Sequence, residues 1–142
     1  MNITKALKQK NKLVSKTNEH ISHVSAYNSI QEGTTRPYDA REALEKAMAS
    51  VDELVALKTA IHKANSKVYD KIFKLAELKS LVSKLKSLDC KEGMHQSYRM
   101  DAPVKYTTQI SIVEKDQWIE KLESQIEMLQ EELEAHNAKT KI

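Results

Sequence analysis

Residues 39–66 read DAREALEKAMASVDELVALKTAIHKANS, and this stretch decides the fold of the chain. Asp39 followed by Glu42 forms a capping box, and Tyr38 before it can act as a hydrophobic staple, so a helix is expected to begin at residue 40. The apolar residues behind this start recur at helical spacing: Leu44, Ala47, Met48, Val51, Leu54, Val55, Leu57, Ile61 and Ala64. They fall on both sides of the main stripe, which predicts that this helix contacts two neighbours.

The end of this helix has to be inferred from side-chain chemistry, because no Gly or Pro occurs between residues 39 and 92. A continuous helix over 40–89 would be about 75 Å long, whereas a compact domain of this length is nearer 35–40 Å across, or roughly half as long. Asn65 and Ser66 are the expected break, since both side chains compete for backbone hydrogen bonds and favour helix caps. One unbroken helix over residues 40–89 is the alternative.

The remainder of the chain divides at its few breakers. The 142 residues include only two Gly and two Pro, in the pairs Gly33 with Pro37 and Gly93 with Pro103. Such a composition is typical of long helices and excludes collagen-like and turn-rich all-β proteins. We expect a single mainly α domain over residues 1–142, with helices at about 3–30, 40–64, 67–91 and 114–137. Helices of similar length predict an elongated four-helix bundle or helical hairpins, with one small β insert at about residues 96–112.

The first helix carries a narrow apolar stripe. Leu7, Val14 and Ile21 recur every seven residues, with Ile3 and Val24 beside them, and this pattern predicts the contact with one neighbouring helix. Gly33 is expected to be the left-handed residue that ends the helix.

The last helix has a start signal, a coiled-coil pattern and an acidic surface. Ser111 and Glu114 form a second capping box. Behind it, apolar positions repeat at three and four residues: Ile119, Leu122, Ile126, Leu129, Leu133 and His136. Residues 114–137 carry a net charge of −6, against +6 for residues 58–91. Contact with the chain's own basic helices is therefore favoured over a homotypic coiled coil.

Residues 104–112 read VKYTTQISI and alternate strictly between two faces, which predicts the β-strand of the insert. A lone strand leaves its backbone groups unsatisfied. It is expected to pair either with residues 96–100 across a turn at 101–103, or with the same segment of another subunit.

Bulk properties exclude several classes of protein. The single Cys90 cannot form an internal disulfide, so a reduced cytoplasmic setting is expected. No apolar run approaches the roughly 18 residues of a membrane span, and no apolar segment follows the Lys-rich start as in a signal peptide. The basic runs are balanced by the acidic last helix, and aromatic residues are too few for a base-stacking platform. We therefore expect neither nucleic acid nor a membrane as a partner.

All three Arg residues lie in or beside the two irregular segments, while the helices use Lys. Arg recognises phosphate or carboxylate with a planar fork, and Tyr can stack on a base or fill a subunit contact. The candidate ligand-binding residues are Arg99, Lys105, Tyr98, Tyr106, Arg36, Arg41, Asn65 and Thr108. One interpretation is an anionic-ligand pocket at a subunit junction, and the other is that these Arg and Tyr side chains fasten loops to helix ends.

No catalytic signature occurs in the sequence. His20 and His23 form a possible ligand pair without a third ligand nearby, and Cys90 next to Asp89 and before His95 is most simply an isolated thiol. No Gly-rich phosphate loop is present. We expect no enzyme activity, no bound metal and no cofactor.

Several short motifs resemble a known family. They are the Ala6-Leu7 pair, the Gln31-Glu32-Gly33 loop, the Ile61-x-x-x-Asn65 ending, Arg99 before Val104-Lys105-Tyr106, and Asn137 with Thr140 near the end. Their order resembles the septicolysin-like family of small helical proteins of bacteria and their phages. Residues 67–91 depart from the family pattern, which mixes Asp and Arg there. The resemblance implies helical hairpins around a small β insert and an oligomer, and it implies no established activity.

Two functions fit these observations. The first is a non-enzymatic homo-oligomer in the cytoplasm that binds or sequesters a small anionic, nucleotide-like ligand near the β insert. The alternative is a structural or partner-binding coiled-coil module without a small ligand, which would use the strand edge and residues 114–137 for docking.

Overall fold

The computed structural model describes residues 1–96, 99 and 102–142. Their elements are four helices and two short strands: α1 (Ile3–Tyr27), α2 (Ala40–Ala64), α3 (Tyr69–Lys86), β1 (Gly93–His95), β2 (Val104–Tyr106) and α4 (Ile112–Lys139). The expected mainly α fold with a small β-hairpin is confirmed. The chain divides into two compact units, unit 1 with residues 1–68 and 134–142, and unit 2 with residues 69–133. A single domain stays a prediction.

Unit 1 is built on α1 packed against α2, with a seam of three- and four-residue spacing on both helices. The buried residues of these two helices are Ile3, Ala6 and Leu13 of α1 and Ala40, Ala43, Ala47 and Ile61 of α2. The predicted α1 stripe is wrong at two positions, because Val14 and Ile21 are 37% and 44% exposed. The expected second neighbour of α2 is likewise not seen, since Met48 and Val55 are exposed.

Helix α1 ends at Tyr27 rather than at residue 30, and Gly33 (φ 86°) lies in the following loop. The reason is the side chain of Arg36, which donates from Nε to the Tyr27 carbonyl (2.8 Å) and from a terminal nitrogen to the Asn28 carbonyl (3.0 Å). Carbonyls at a helix C-terminus lack partners within the helix, and the guanidinium supplies them. This contact agrees with the alternative interpretation of Arg36 as a loop fastener.

Both ends of α2 lie where the sequence predicted them. The Asp39 carboxylate accepts from the backbone N–H of Glu42 (2.9 Å), as the predicted capping box requires. Glu42 itself pairs with Lys46 (3.0 Å). At the other end Asn65 is the C-cap, and residues 65–68 form turns before α3 begins. The predicted break is therefore found, and the unbroken helix over 40–89 is not.

The two chain ends meet in unit 1. The Ile3 N–H donates to the Thr140 carbonyl (3.1 Å), and the Ile142 N–H donates to the Met1 carbonyl (3.0 Å). Next to these bonds lies a core cluster of Ile3, Ala6 and Ile61, against which Leu7, Leu57 and Ala64 pack.

In unit 2, α3 runs beside residues 112–133 of α4. Lys71 pairs with Glu132 (2.9 Å) and Lys86 with Glu123 (3.3 Å), which agrees with the expected pairing of the acidic helix with a basic one. The hydrogen bond that Lys71 donates to the Glu132 carboxylate, and after it the negative charge of Glu132, raise the pKa of Lys71 above its ordinary value.

Helix α3 is shorter than predicted, since it ends at Lys86 instead of residue 91. The Lys115 ammonium donates to the carbonyls of Lys86 (3.0 Å) and Leu88 (3.1 Å). These contacts satisfy carbonyls at the end of the helix and let the chain turn away.

The strands form an antiparallel hairpin in which Gly93 lies opposite Tyr106, Met94 opposite Lys105 and His95 opposite Val104. The strand partner is thus residues 93–95 within the chain, and the predicted pairing with 96–100 is wrong. The second strand is also shorter than the predicted 104–112. Gly93, with φ 83°, is the first residue of β1.

Candidate ligand site beside the hairpin

A groove of about 320 Å³ lies in unit 2 between the end of α3 and the segment that follows β2. Its lining residues are Leu88, Asp89, Lys91, Tyr106, Thr107, Thr108, Gln109 and Ile110. The lining combines one cation, one carboxylate, an aromatic ring, two hydroxyls and an amide. This combination suits a small polar ligand that has both an anionic group and hydrogen-bond donors.

Local turns position the two charged residues of the groove. The Asp89 carboxylate accepts from the backbone N–H of Lys91 (2.9 Å), which is the hydrogen bond of an Asx-turn. Gly93 follows with its positive φ and directs the chain into β1. The backbone from Asp89 to Gly93 is therefore shaped by residues that occur in that order in the sequence.

The Tyr106 ring forms the aromatic side of the groove. The Lys91 ammonium lies 4.9 Å from its centroid, a cation–π distance. The His95 ring meets Tyr106 edge-on, with centroids 6.0 Å apart and planes at 69°. His95 Nε2 also lies 2.8 Å from the Glu92 carbonyl, which fixes the imidazole beside the tyrosine. The ring is thus held from two sides.

The structure brings only some of the predicted site residues together. Tyr106 and Thr108 line the groove. Lys105 precedes Tyr106 on β2, and since successive strand residues point to opposite faces it is not part of the lining. Arg99 lies in the loop between the strands and is not among the lining residues, and Tyr98 lies outside the described residues.

The remaining predicted residues belong to unit 1. Arg36 and Arg41 line a second groove of about 280 Å³ with Asn28, Asp39 and Ala40. In this groove Arg36 is already engaged with two helix-end carbonyls.

Asn65 takes part in a chain of three polar side chains in unit 1. Its Oδ1 lies 3.2 Å from Nε2 of His136, whose Nδ1 lies 3.2 Å from the Thr140 hydroxyl. Because an amide oxygen only accepts, the proton of a neutral His136 is on Nε2 and the Thr140 hydroxyl donates to Nδ1. Asn65 thereby joins the end of α2 to the end of α4.

Sequence reasoning missed Lys91 and Asp89, because both were placed in the third helix. The available signal was Asp89 followed two residues later by the N–H that its carboxylate accepts, an Asx-turn pattern that marks a helix already ended.

The His20 and His23 pair has no metal-site geometry. His23 stacks on Tyr38 at 3.9 Å with planes 14° apart, and Tyr38 also stacks on Tyr27. Within the described ranges 1–96, 99 and 102–142, no group of three or more His, Cys, Asp or Glu side chains is arranged to hold a metal ion. Within the same part of the chain, no helix is long and apolar enough to cross a membrane.

Comparisons with family models, curated proteins and solved structures find no match to this chain. The resemblance to the septicolysin-like family stays a prediction.

Proposed function

We propose that this chain is a non-enzymatic, oligomeric binding protein of the cytoplasm that holds a small anionic, nucleotide-like ligand in the hairpin groove. The observation that carries the proposal is the placement of the Lys91 ammonium 4.9 Å from the Tyr106 ring centroid, in a groove lined by Thr107, Thr108 and Gln109.

Each part of the groove has a counterpart in a nucleotide. Lys91 supplies a charge-assisted hydrogen bond to a phosphate oxygen, and Tyr106 offers a surface on which a base can stack. Asp89 accepts hydrogen bonds from sugar hydroxyls or an exocyclic amino group. A bare phosphate would bring negative charge next to the Asp89 carboxylate without the sugar hydroxyls and the exocyclic amino group of a nucleotide, which can donate to that carboxylate. For this reason a nucleotide fits better than an inorganic anion.

The cations of the hairpin strengthen the attraction for anions. Lys105 adds a positive charge next to Tyr106 along β2, and Arg99 adds another in the preceding loop. Charges a few ångströms outside a site raise the association rate of an oppositely charged ligand in a salt-dependent way. We propose this supporting role for both residues.

Isothermal titration calorimetry tests the proposal with AMP, ADP and cyclic dinucleotides, with adenosine and inorganic phosphate as the two partial ligands. We expect a nucleotide to bind more tightly than either part. Lys91→Gln should weaken that binding roughly 10- to 100-fold, the value of one hydrogen bond to a charged group. Lys84→Gln is the matched control, since Lys84 is an exposed lysine of α3 outside the groove. Absence of heat with every nucleotide, or equal binding by both variants, would contradict the proposal.

A second candidate function is a partner-binding module without a small ligand. It is favoured by large apolar side chains exposed on α4, namely Ile112, Val113, Trp118 and Met128. Native mass spectrometry of the protein purified from its host separates the two functions. A retained small molecule supports the binding protein, and a stoichiometric second protein supports the module.

A further inference from the structure

Unit 1 has a second apolar surface besides the seam between α1 and α2. We call it the outer face, and it consists of Leu7, Val14 and Ile21 of α1 with Leu44, Met48, Val51 and Val55 of α2. All of these except the half-buried Leu7 are exposed, from 37% for Val14 to 62% for Met48. Both sets keep heptad spacing, which is typical of a helix surface that packs against another helix.

Helical geometry puts both sets on the same side of the α1–α2 pair. Taking Ile3 and Ala6 as seam positions a and d, the α1 set occupies position e. With Ala40 and Ala43 as positions a and d of α2, Leu44 and Val51 are also e positions. Met48 and Val55 occupy the neighbouring b positions. In an antiparallel pair, the e positions of both helices line one edge.

The two sets also lie at matching heights along the pair. Ile3 meets Ile61 in the core cluster at one end, and His23 stacks on Tyr38 at the other. This antiparallel register brings Val14 level with residues 47–50 of α2, which lie next to Met48 and Val51. The outer face is therefore one continuous apolar surface rather than two separate stripes.

The charges around the outer face match a second copy of this chain. Neutral polar residues border it along α1: Thr4, Asn11, Asn18 and Ser25. Acidic residues border it along α2: Glu45 and Asp52. The α1 lysines fall on other heptad positions: Lys5, Lys8, Lys10, Lys12 and Lys16. On α2, Arg41 and Lys58 extend the rows of the face beyond its apolar residues. When the middle of α1 in one copy lies on the middle of α2 in another, amides meet carboxylates, and like charges do not oppose each other there.

The size of the face and the thin core of unit 1 support the same occupant. From Leu7 to Ile21 and from Leu44 to Val55 the face extends up to about 21 Å along the helices, and two helices side by side span roughly 20 Å. The product, about 420 Å², is close to the apolar share, about 450 Å², of the roughly 800 Å² per partner of a stable interface. Of the seven buried residues in the α1–α2 seam, four are alanines, which bury little apolar area each.

We infer that the outer face binds a second copy of this chain, so that two α1–α2 pairs form a four-helix bundle around a two-fold axis. This inference rests on the oligomeric part of the proposed function and specifies the surface that forms the oligomer. The dimer inference and the ligand proposal can fail separately. Calorimetry detects nucleotide binding whether the chain is a monomer or a dimer, and sedimentation detects the dimer without any ligand.

Sedimentation velocity of the full chain from about 1 to 100 μM is the primary test. We expect a concentration-dependent change from the 16.2 kDa monomer to a species of twice that mass. A wild-type protein that sediments as a monomer over the whole range overturns the inference.

Two methionines give a matched pair of variants. Met48 in the outer face and Met128 on α4 are both 62% exposed, and both have acidic residues one turn away. Met48→Glu should weaken the dimer at least 100-fold, because it buries carboxylates beside the acidic rim. Met128→Glu should leave the dimer unchanged. Circular dichroism should show equal helix content in both variants, since neither side chain is buried within the chain.

Val14→Lys tests the part of the face contributed by α1. We expect Val14→Lys to weaken the dimer as much as Met48→Glu does. If Met48→Glu loses helix content, Val14→Lys becomes the decisive variant. A dimer that survives Val14→Lys, or one that is lost in Met128→Glu but kept in Met48→Glu, places the interface elsewhere and refutes the inference.

Discussion

Replacing Ile3 with Ala tests whether the core cluster at the joined chain ends stabilises unit 1. Ile3 is the first residue of α1 and is completely buried against Ala6 and Ile61. The change shortens a four-carbon side chain to a methyl group, so three carbons are lost. Each buried carbon contributes about 0.8 kcal/mol to the free energy of unfolding. The transfer contribution is therefore about 2.4 kcal/mol.

The cavity that remains adds to this loss. Ile→Ala changes in cores cost about 2–5 kcal/mol, depending on how far the surroundings collapse. The Ile3 N–H is bonded to the Thr140 carbonyl, which keeps the backbone at Ile3 in place and limits the collapse. We expect a loss of about 3 kcal/mol in the free energy of unfolding. For a chain of this size, this corresponds to a decrease of roughly 9 °C in Tm.

The measurement is thermal and urea unfolding followed by circular dichroism. Ile112→Ala is the matched control, because Ile112 is the first residue of α4, as Ile3 is of α1, but is 59% exposed. The control should lose less than about 1 kcal/mol, as exposed positions do. If Ile3→Ala is no less stable than Ile112→Ala, the core cluster contributes nothing and the reasoning is refuted.

Three further predictions concern single contacts. Arg36→Met should lower the free energy of unfolding by about 1–2 kcal/mol through the loss of two bonds to helix-end carbonyls, whereas Arg41→Met should change it little; equal losses in urea unfolding would contradict this. Gly93→Ala should cost about 1–2 kcal/mol in the same assay, because its φ of 83° strains any L side chain, and an unchanged midpoint would refute it. Glu132→Gln should lower the pKa of Lys71 in an NMR titration. Since the pKa of Lys71 is raised in the folded state, the Lys71–Glu132 pair stabilises the fold fully below about pH 10.4, the ordinary lysine pKa. This contribution is lost as the pH rises through the raised pKa of the folded state. A Lys71 pKa that stays unchanged in Glu132→Gln would exclude Glu132 as the cause.

The sequence predicted those features of the fold that depend on neighbouring residues. Asp39 accepts from the Glu42 N–H, and Ser111 does the same for Glu114 (3.1 Å), so the starts of α2 and α4 lie where or close to where their capping boxes indicated. These two contacts span three residues each, and no tertiary contact is needed to form them. The break at Asn65 was also placed correctly, but there the side chain contacts His136 of α4 (3.2 Å).

The features that the sequence did not predict depend on distant residues. The end of α3 at Lys86 is fixed by Lys115, and the end of α1 at Tyr27 by Arg36. Neither partner can be identified from helix propensity. Because α3 ends early, Asp89 and Lys91 lie in the groove, and for this reason both charged residues of the candidate site were missed while Tyr106 and Thr108 were predicted.

The error in the α1 stripe has a different cause. Two heptad patterns overlap on this helix and share Ile3, Lys10, Thr17 and Val24; one adds Leu7, Val14 and Ile21, and the other adds Ala6, Leu13 and His20. The first pattern has the larger apolar side chains and was therefore predicted to pack against the neighbouring helix. The seam with α2 uses the second pattern, because Ala6 and the alanines of α2 allow the helix backbones to approach closely. The larger residues of the first pattern are thereby left on the outer face, next to the exposed stripe of α2. A helix that has two apolar patterns has two surfaces to bury, and we propose that a second copy of the chain covers the one that α2 leaves open.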